Sequence, residues 1–193
     1  MQRLYIICLV IFVVSKVNAQ VKVNNEKSFN PHFIWDINYI DSLYHLEKNN
    51  DFELRFFANT YIGKMKIFIL VKKNNNWNAR YFESIKDSSV RMIEKEISKE
   101  NLSLLWDSLS KKGVLKIPAS ENLKDIKGEP LYANIIHGTV FYFDLLTKTS
   151  GRSYSYHCPA GYVKEFPNVK EYKKVLSLVQ IIFNFCQIKF RIC

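Results

Sequence analysis

With 193 residues, 48% of them hydrophobic and 15% aromatic, and only 6 Gly and 5 Pro, the chain has the composition of one folded domain. A disordered, collagen-like or disulfide-dense polypeptide is excluded. Lys and Arg number 28 against 18 Asp and Glu, a formal charge of +10. The excess is scattered in pairs such as Lys72-Lys73, Lys111-Lys112 and Lys173-Lys174, and no Arg-rich run or basic helix concentrates it into a specific nucleic-acid site.

The chain opens with Arg3, an apolar run from Leu4 to Val14, and Val17-Asn18-Ala19. This reads as a secretory signal peptide over residues 1–19. Eleven apolar residues are too few for a hydrocarbon layer that takes about 20 helical residues to cross, and the run ends in a small residue suited to cleavage after Ala19. The expected address is therefore the periplasm or the cell exterior, with no transmembrane segment after cleavage. The remaining chain keeps 26 basic residues against 18 acidic ones, so it stays basic at +8.

Gln20 to Asn30 form a polar lead-in. From Asp36 to Leu46 the apolar residues Ile37, Ile40, Leu43, Tyr44 and Leu46 recur at three- and four-residue spacing, which predicts a short amphipathic helix that Asn49-Asn50-Asp51 ends. Phe52 to Ile62, Met65 to Lys72 and Trp77 to Ser84 then read as three antiparallel strands separated by Gly63-Lys64 and by Asn74 to Asn76. Val90 to Ile97 alternates as a fourth strand would. Ser98 is the expected cap of a helix whose stripe is Leu102, Leu105, Trp106 and Leu109, and Gly113 is its stop. Val114 to Leu131, with Pro118, Gly128 and Pro130, reads as a connecting loop. Thr139 to Lys148 and Arg152 to Cys158 read as a hairpin that turns at Thr149-Ser150-Gly151, and Pro159 as its end. Val169 to Cys186 closes the chain as an amphipathic helix. The fold class expected for residues 20–193 is a single α+β domain, an antiparallel sheet of five to six strands packed against two to three helices.

No nucleotide-binding glycine loop and no CxxC occurs, and His32, His45, His137 and His157 never fall at metal-ligand spacing, so neither a metal nor a cofactor is expected. Turning about Ser150-Gly151 would set Asp144 opposite His157, with Cβ atoms about 5 Å apart, and this dyad is the candidate catalytic pair of a small hydrolase. An ordinary solvent-face ion pair is the plainer account of the same two residues. Glu53, Glu83 and Glu94 lie on strands that could adjoin, but nothing in the sequence brings them together. Both faces of the strands carry aromatics, Phe57 and Phe82 beside Phe56 and Tyr81. Either two layers cover the sheet or one face is an exposed recognition surface, for which Phe57, Phe82, Arg80 and Tyr142 are the candidate binding residues.

Three cysteines survive cleavage. Cys186 with Cys193 is the easy bridge, closing a short terminal loop. Cys158 with Cys186 is disfavoured, because the last helix carries Cys186 roughly 27 Å from its start. All three thiols free is the remaining alternative. The reading that best fits these features is a non-enzymatic domain that binds an unknown protein or an envelope glycan. The small hydrolase and a carrier of a small apolar ligand are the alternatives.

Overall fold

A computed structural model describes residues 50–60, 65–84, 92–135 and 138–189. The signal segment, the helix expected at 36–46, the Gly63-Lys64 turn and Cys193 lie outside the described residues. Six strands, β1 (Phe52–Thr60), β2 (Met65–Lys73), β3 (Asn76–Ser84), β4 (Met92–Lys95), β5 (Thr139–Leu146) and β6 (Gly151–His157), form one antiparallel sheet in the order β4-β3-β2-β1-β5-β6. Among the described residues three helices, α1 (Leu102–Lys111), α2 (Pro159–Glu165) and α3 (Lys170–Phe185), accompany it, together with one turn of 3-10 helix at Ser120–Asn122. The expected α+β class is the one observed.

The meander forms where its punctuation places it. Asn74 and Asn75 take left-handed backbone, φ 49° and 65°, as the tight turn between β2 and β3 requires, and Asn tolerates that region better than most residues. Asp51, at the start of β1, accepts the Asn74 amide at 2.8 Å and pairs with Lys148 at 2.9 Å, so one carboxylate ties the central strand to two turns. Alternation then sends Phe52, Leu54, Phe56 and Ala58 to one face, where they meet Phe68, Leu70, Ala79, Tyr81, Phe141, Phe143 and Leu145. α1 and α3 close this first face. The α1 stripe Leu102, Leu105, Trp106 and Leu109 is buried as its spacing implies, and α3 contributes Val175, Leu178, Val179, Ile182 and Phe183. At the centre the Phe56 ring lies 5.0 Å from Phe143 and 5.7 Å from Phe183, within aromatic contact range.

Four local expectations are corrected. α1 begins after Asn101, which is left-handed at φ 58°, while the Ser98 hydroxyl accepts the Glu100 amide at 3.2 Å and so makes a turn before the helix instead of capping it. Pro159 starts α2 instead of only ending a strand, because a proline at the first helical position lacks only an N–H that would have no helical partner. The β5–β6 turn is Thr147 to Ser150, with Leu146 across from Gly151, two residues nearer β5 than expected. It is closed by the Thr147 amide on the Ser150 carbonyl at 2.7 Å and by the Ser150 amide on the Thr147 hydroxyl at 3.0 Å, so glycine is not the turn residue.

The fourth correction concerns the thiols. Cys158 is disulfide-bonded and Cys186 is free, so the expected Cys186 to Cys193 bridge is not formed. Cys186 follows α3 with its side chain packed against the first core, and burial pushes its thiol up to about 12, far from a reactive thiolate. In a chain that begins at Gln20, Cys193 is the other cysteine that the sequence offers to Cys158 besides the free Cys186. Non-reducing peptide mapping of that chain is expected to return Cys158 linked to Cys193, with Cys186 alkylated only after denaturation. Finding Cys186 in a cross-linked peptide would contradict the assignment.

Candidate functional site

The second face of the sheet collects the side chains that the sequence singles out, and it does so differently from the expectation. Asp144 lies across from Ser153, and His157 across from Val140. Asp144 and His157 still share a face, because the register shift moves each strand by an even number of residues. They are separated by four residues of β6, about 13 Å at 3.3 Å per residue, so the Asp144–His157 dyad does not exist. The Ser153 hydroxyl instead donates to Asp144 Oδ1 at 2.5 Å. Burial raises the pKa of Asp144, against the opposing pull of that hydroxyl and of Arg55. The half-buried imidazole of His157 is pushed downward by burial and is held mostly neutral at pH 7.

Around Asp144 the polar groups are internally paired. Arg55, opposite Asp144 across β1 and β5, bonds Glu53 Oε1 through Nε at 2.5 Å, and Asn50 donates to Glu53 Oε2 at 3.1 Å. Glu53 is only 4% exposed and Asp144 7%. The other two carboxylates considered as a catalytic pair are tied elsewhere. Glu94 accepts from Arg80 Nε and Nη2, at 2.9 and 2.8 Å, and these bonds hold it below the ordinary range. Glu83 points to the opposite face; burial works to raise it, but Lys66 and the Tyr81 hydroxyl bond the carboxylate and hold it low. Among the described residues no three His, Cys, Asp or Glu side chains group as a metal site would require.

The four candidate binding residues do come together, but not as an exposed surface. Phe57 is 2% and Phe82 5% exposed, clustered with Met65, Ile67 and Ile69, and half-buried Tyr142 packs against them. The Arg80 guanidinium lies 4.7 Å from the Phe82 ring centroid while it bonds Glu94. The face expected as an exposed recognition surface is therefore buried at Phe57 and Phe82 and half-buried at Tyr142.

Leu104 on α1 and Ile93 on β4 are exposed, at 59% and 42%, but the most exposed large apolar residues stand on the loop between α1 and β5. Its first part is clamped to β6. Arg152 donates to the carbonyls of Leu115, at 2.8 Å, and Ile117, while the Tyr154 and Tyr156 hydroxyls donate to Val114 and Pro118 at 2.8 and 2.6 Å. Val114, Ile117, Ala119 and Leu123 are buried, which anchors the segment on the core. Beyond Leu123 the chain makes an isolated bridge between Lys124 and Pro130 around a tight turn. Asp125 Oδ1 accepts the amides of Lys127 and Glu129 at 2.8 and 2.9 Å, and Gly128 supplies the left-handed position at φ 85°. This stiff turn holds Ile126 at 83% exposure, and Tyr132 follows at 82%. The sequence places Ile126 in a connecting loop and Tyr132 in no element; the one available signal is an isoleucine inside an Asp-x-x-Gly turn, where a polar residue is usual.

Compared with known proteins, the chain matches no family model, no curated protein and no solved structure.

The raised pKa of Asp144 fixes the sign of a pH effect. Its folded value lies above the unfolded one, so the folded chain keeps a proton that the unfolded chain releases. Its contribution to stability therefore falls as pH rises from about 4, the ordinary carboxylate value, through the folded pKa. Asn at this position keeps an oxygen for the Ser153 hydroxyl and carries no charge. In denaturant titrations Asp144→Asn is expected to gain stability over the parent as pH rises from about 4 to about 7, whereas parallel pH profiles would contradict the assignment.

Proposed function

We propose that this chain is an exported, non-enzymatic interaction domain of the periplasm or the cell exterior, which engages a protein partner through Ile126 and Tyr132. The observation that carries the reading is the exposure of these two side chains, 83% and 82%, on a loop whose backbone is fixed by Asp125 at one end and by Arg152, Tyr154 and Tyr156 at the other. A large apolar side chain held in water contributes nothing to folding, and a rigid turn adds no ordering cost when a partner covers it. Apolar anchors of this kind dominate binding energy when they enter a pocket. An isoleucine offers no flat ring to a sugar, which favours a protein over an envelope glycan. Export is supported by two independent features, the leader-like residues 1–19 and the half-cystine Cys158, since disulfides persist in oxidising compartments. The separation of Asp144 from His157 removes the specific support for a hydrolase.

The test is capture from envelope extract with immobilised residues 20–193, compared with the Ile126→Asp and Tyr132→Ser variants and with His157→Ala. A stoichiometric protein partner that survives high salt is expected, with at least tenfold weaker capture by Ile126→Asp, since each tenfold is about 1.4 kcal/mol. His157→Ala is expected to capture normally. A partner held equally by both loop variants would overturn the assignment of the surface, and a hydrolytic activity abolished by His157→Ala would overturn the reading itself.

A further inference from the structure

The basic excess that lies scattered along the sequence is gathered by the fold. Residues 111–123 carry Lys111, Lys112 and Lys116 against Glu121, and residues 164–174 carry Lys164, Lys170, Lys173 and Lys174 against Glu165 and Glu171. These 24 residues hold a net +4, half of the +8 of the chain from Gln20. Tyrosines join the two segments. The Tyr156 hydroxyl donates to the Pro118 carbonyl at 2.6 Å, while its ring meets the Tyr172 ring edge to face at 5.3 Å. Tyr172 in turn stacks on Tyr162 of α2 at 4.7 Å, and the Tyr154 hydroxyl holds Val114 just past the end of α1. Burial raises the pKa of the Tyr156 hydroxyl, and Tyr172, Glu171 and Glu121 add to it against Arg152, so carboxylates of both segments face the same group. Each of the seven lysines lies within three residues of Val114, Pro118, Tyr162 or Tyr172, and each is exposed. Of the three acids, Glu171 is taken by Lys174 at 3.6 Å.

We propose that this corner, where the end of α1 and the clamped loop meet α2 and the start of α3, binds a polyanionic glycan whose sulfate, phosphate or uronate groups repeat along the polymer. Its cations are all lysines, compact point charges on flexible stems that suit repeated anionic groups, and none is the planar fork with which Arg reads one phosphate or base. The large apolar side chains exposed among the described residues are Ile93, Leu104, Ile126 and Tyr132, and none belongs to these segments. Nothing in the corner therefore inserts into a bilayer or stacks on a nucleic-acid base, and a charged polysaccharide needs neither. The choice of a glycan rests on the exported address proposed above. It does not rest on the protein partner assigned to Ile126 and Tyr132, which lie outside the corner.

The experiment measures the affinity of residues 20–193 for heparin, as the probe polyanion, over a series of NaCl concentrations. The parent is expected to bind, and to weaken steadily as salt rises, because each anionic group neutralised by an ammonium releases a counterion. Combining Lys111→Gln, Lys116→Gln, Lys170→Gln and Lys173→Gln is expected to weaken binding about tenfold or more and to flatten the salt dependence. A control that combines Lys73→Gln, Lys95→Gln, Lys99→Gln and Lys189→Gln removes the same charge from exposed positions elsewhere, and is expected to stay within about threefold of the parent. Both variants alter only exposed side chains, and circular dichroism checks that each folds. Equal losses from the two variants, or a parent that does not bind heparin, would overturn the surface. Tighter binding to a thymidine oligonucleotide, or to vesicles of equimolar phosphatidylcholine and phosphatidylglycerol, would overturn the glycan as its ligand. Neither result touches the capture test of the Ile126 loop.

Discussion

Two adjacent residues of β2, Ile67 and Phe68, point to opposite faces of the sheet and are both closed to solvent, at 0% and 1% exposure. That double burial is the constraint from which the rest of the molecule follows. A sheet open on one face usually keeps that side polar, whereas here Phe57, Ile67, Ile69 and Phe82 are buried on the second face as Phe56 and Phe68 are on the first. Each fully buried Phe, Ile or Leu contributes about 1.5–3 kcal/mol, and the two faces share a large aromatic complement, so the sheet interior is spent on stability. On the proposed reading, recognition falls to the segments that leave the sheet.

The way in which they leave it gives the Ile126 loop its rigidity. β6 is an edge strand, and its first-face side chains Arg152, Tyr154 and Tyr156 turn their polar ends onto four of the five carbonyls from Val114 to Pro118, omitting that of Lys116. A guanidinium at 7% exposure is costly to bury unless its donors are used; here two carbonyls accept from it and the Tyr154 ring faces it at 5.2 Å. The same bonds satisfy loop carbonyls that would otherwise be buried without partners. Edge strand, clamp and turn thus form one mechanical path from the core to Ile126. On the opposite face Arg55 bonds Glu53 along β1 and Ser153 of β6 bonds Asp144 of β5, with Arg55 and Asp144 across from each other, so polar pairs link β1, β5 and β6 there.

Much of the fold is legible in the sequence because alternation and turn chemistry agree. Asn74 and Asn75 mark the β2–β3 turn, and the stripes of α1 and α3 are read directly from their spacing. The hairpin misleads because Gly151 looks like a turn residue, whereas the Thr147 and Ser150 side chains supply the bonds that close the turn. The shift is even, so Phe141, Phe143, Tyr154 and Tyr156 share the core face under either register while the Asp144–His157 pairing is lost. That contrast is general: core membership depends on parity, and a catalytic pair depends on register. Phe57 and Phe82 are legible as aromatics on a second face, but whether that face is covered is a tertiary fact that no local pattern carries. The exposure of Ile126 is hidden for the same reason.

The central claim is that the aromatic sheet face is interior and the Ile126 loop is the presented surface. Carbene footprinting of residues 20–193 measures both at once, because the reagent marks side chains by their contact with solvent. The account predicts heavy labelling at Ile126 and Tyr132 and background labelling at Phe57, Ile67 and Phe82. Labelling of Phe57 and Phe82 at the level of Tyr132 would show an open recognition face and contradict it.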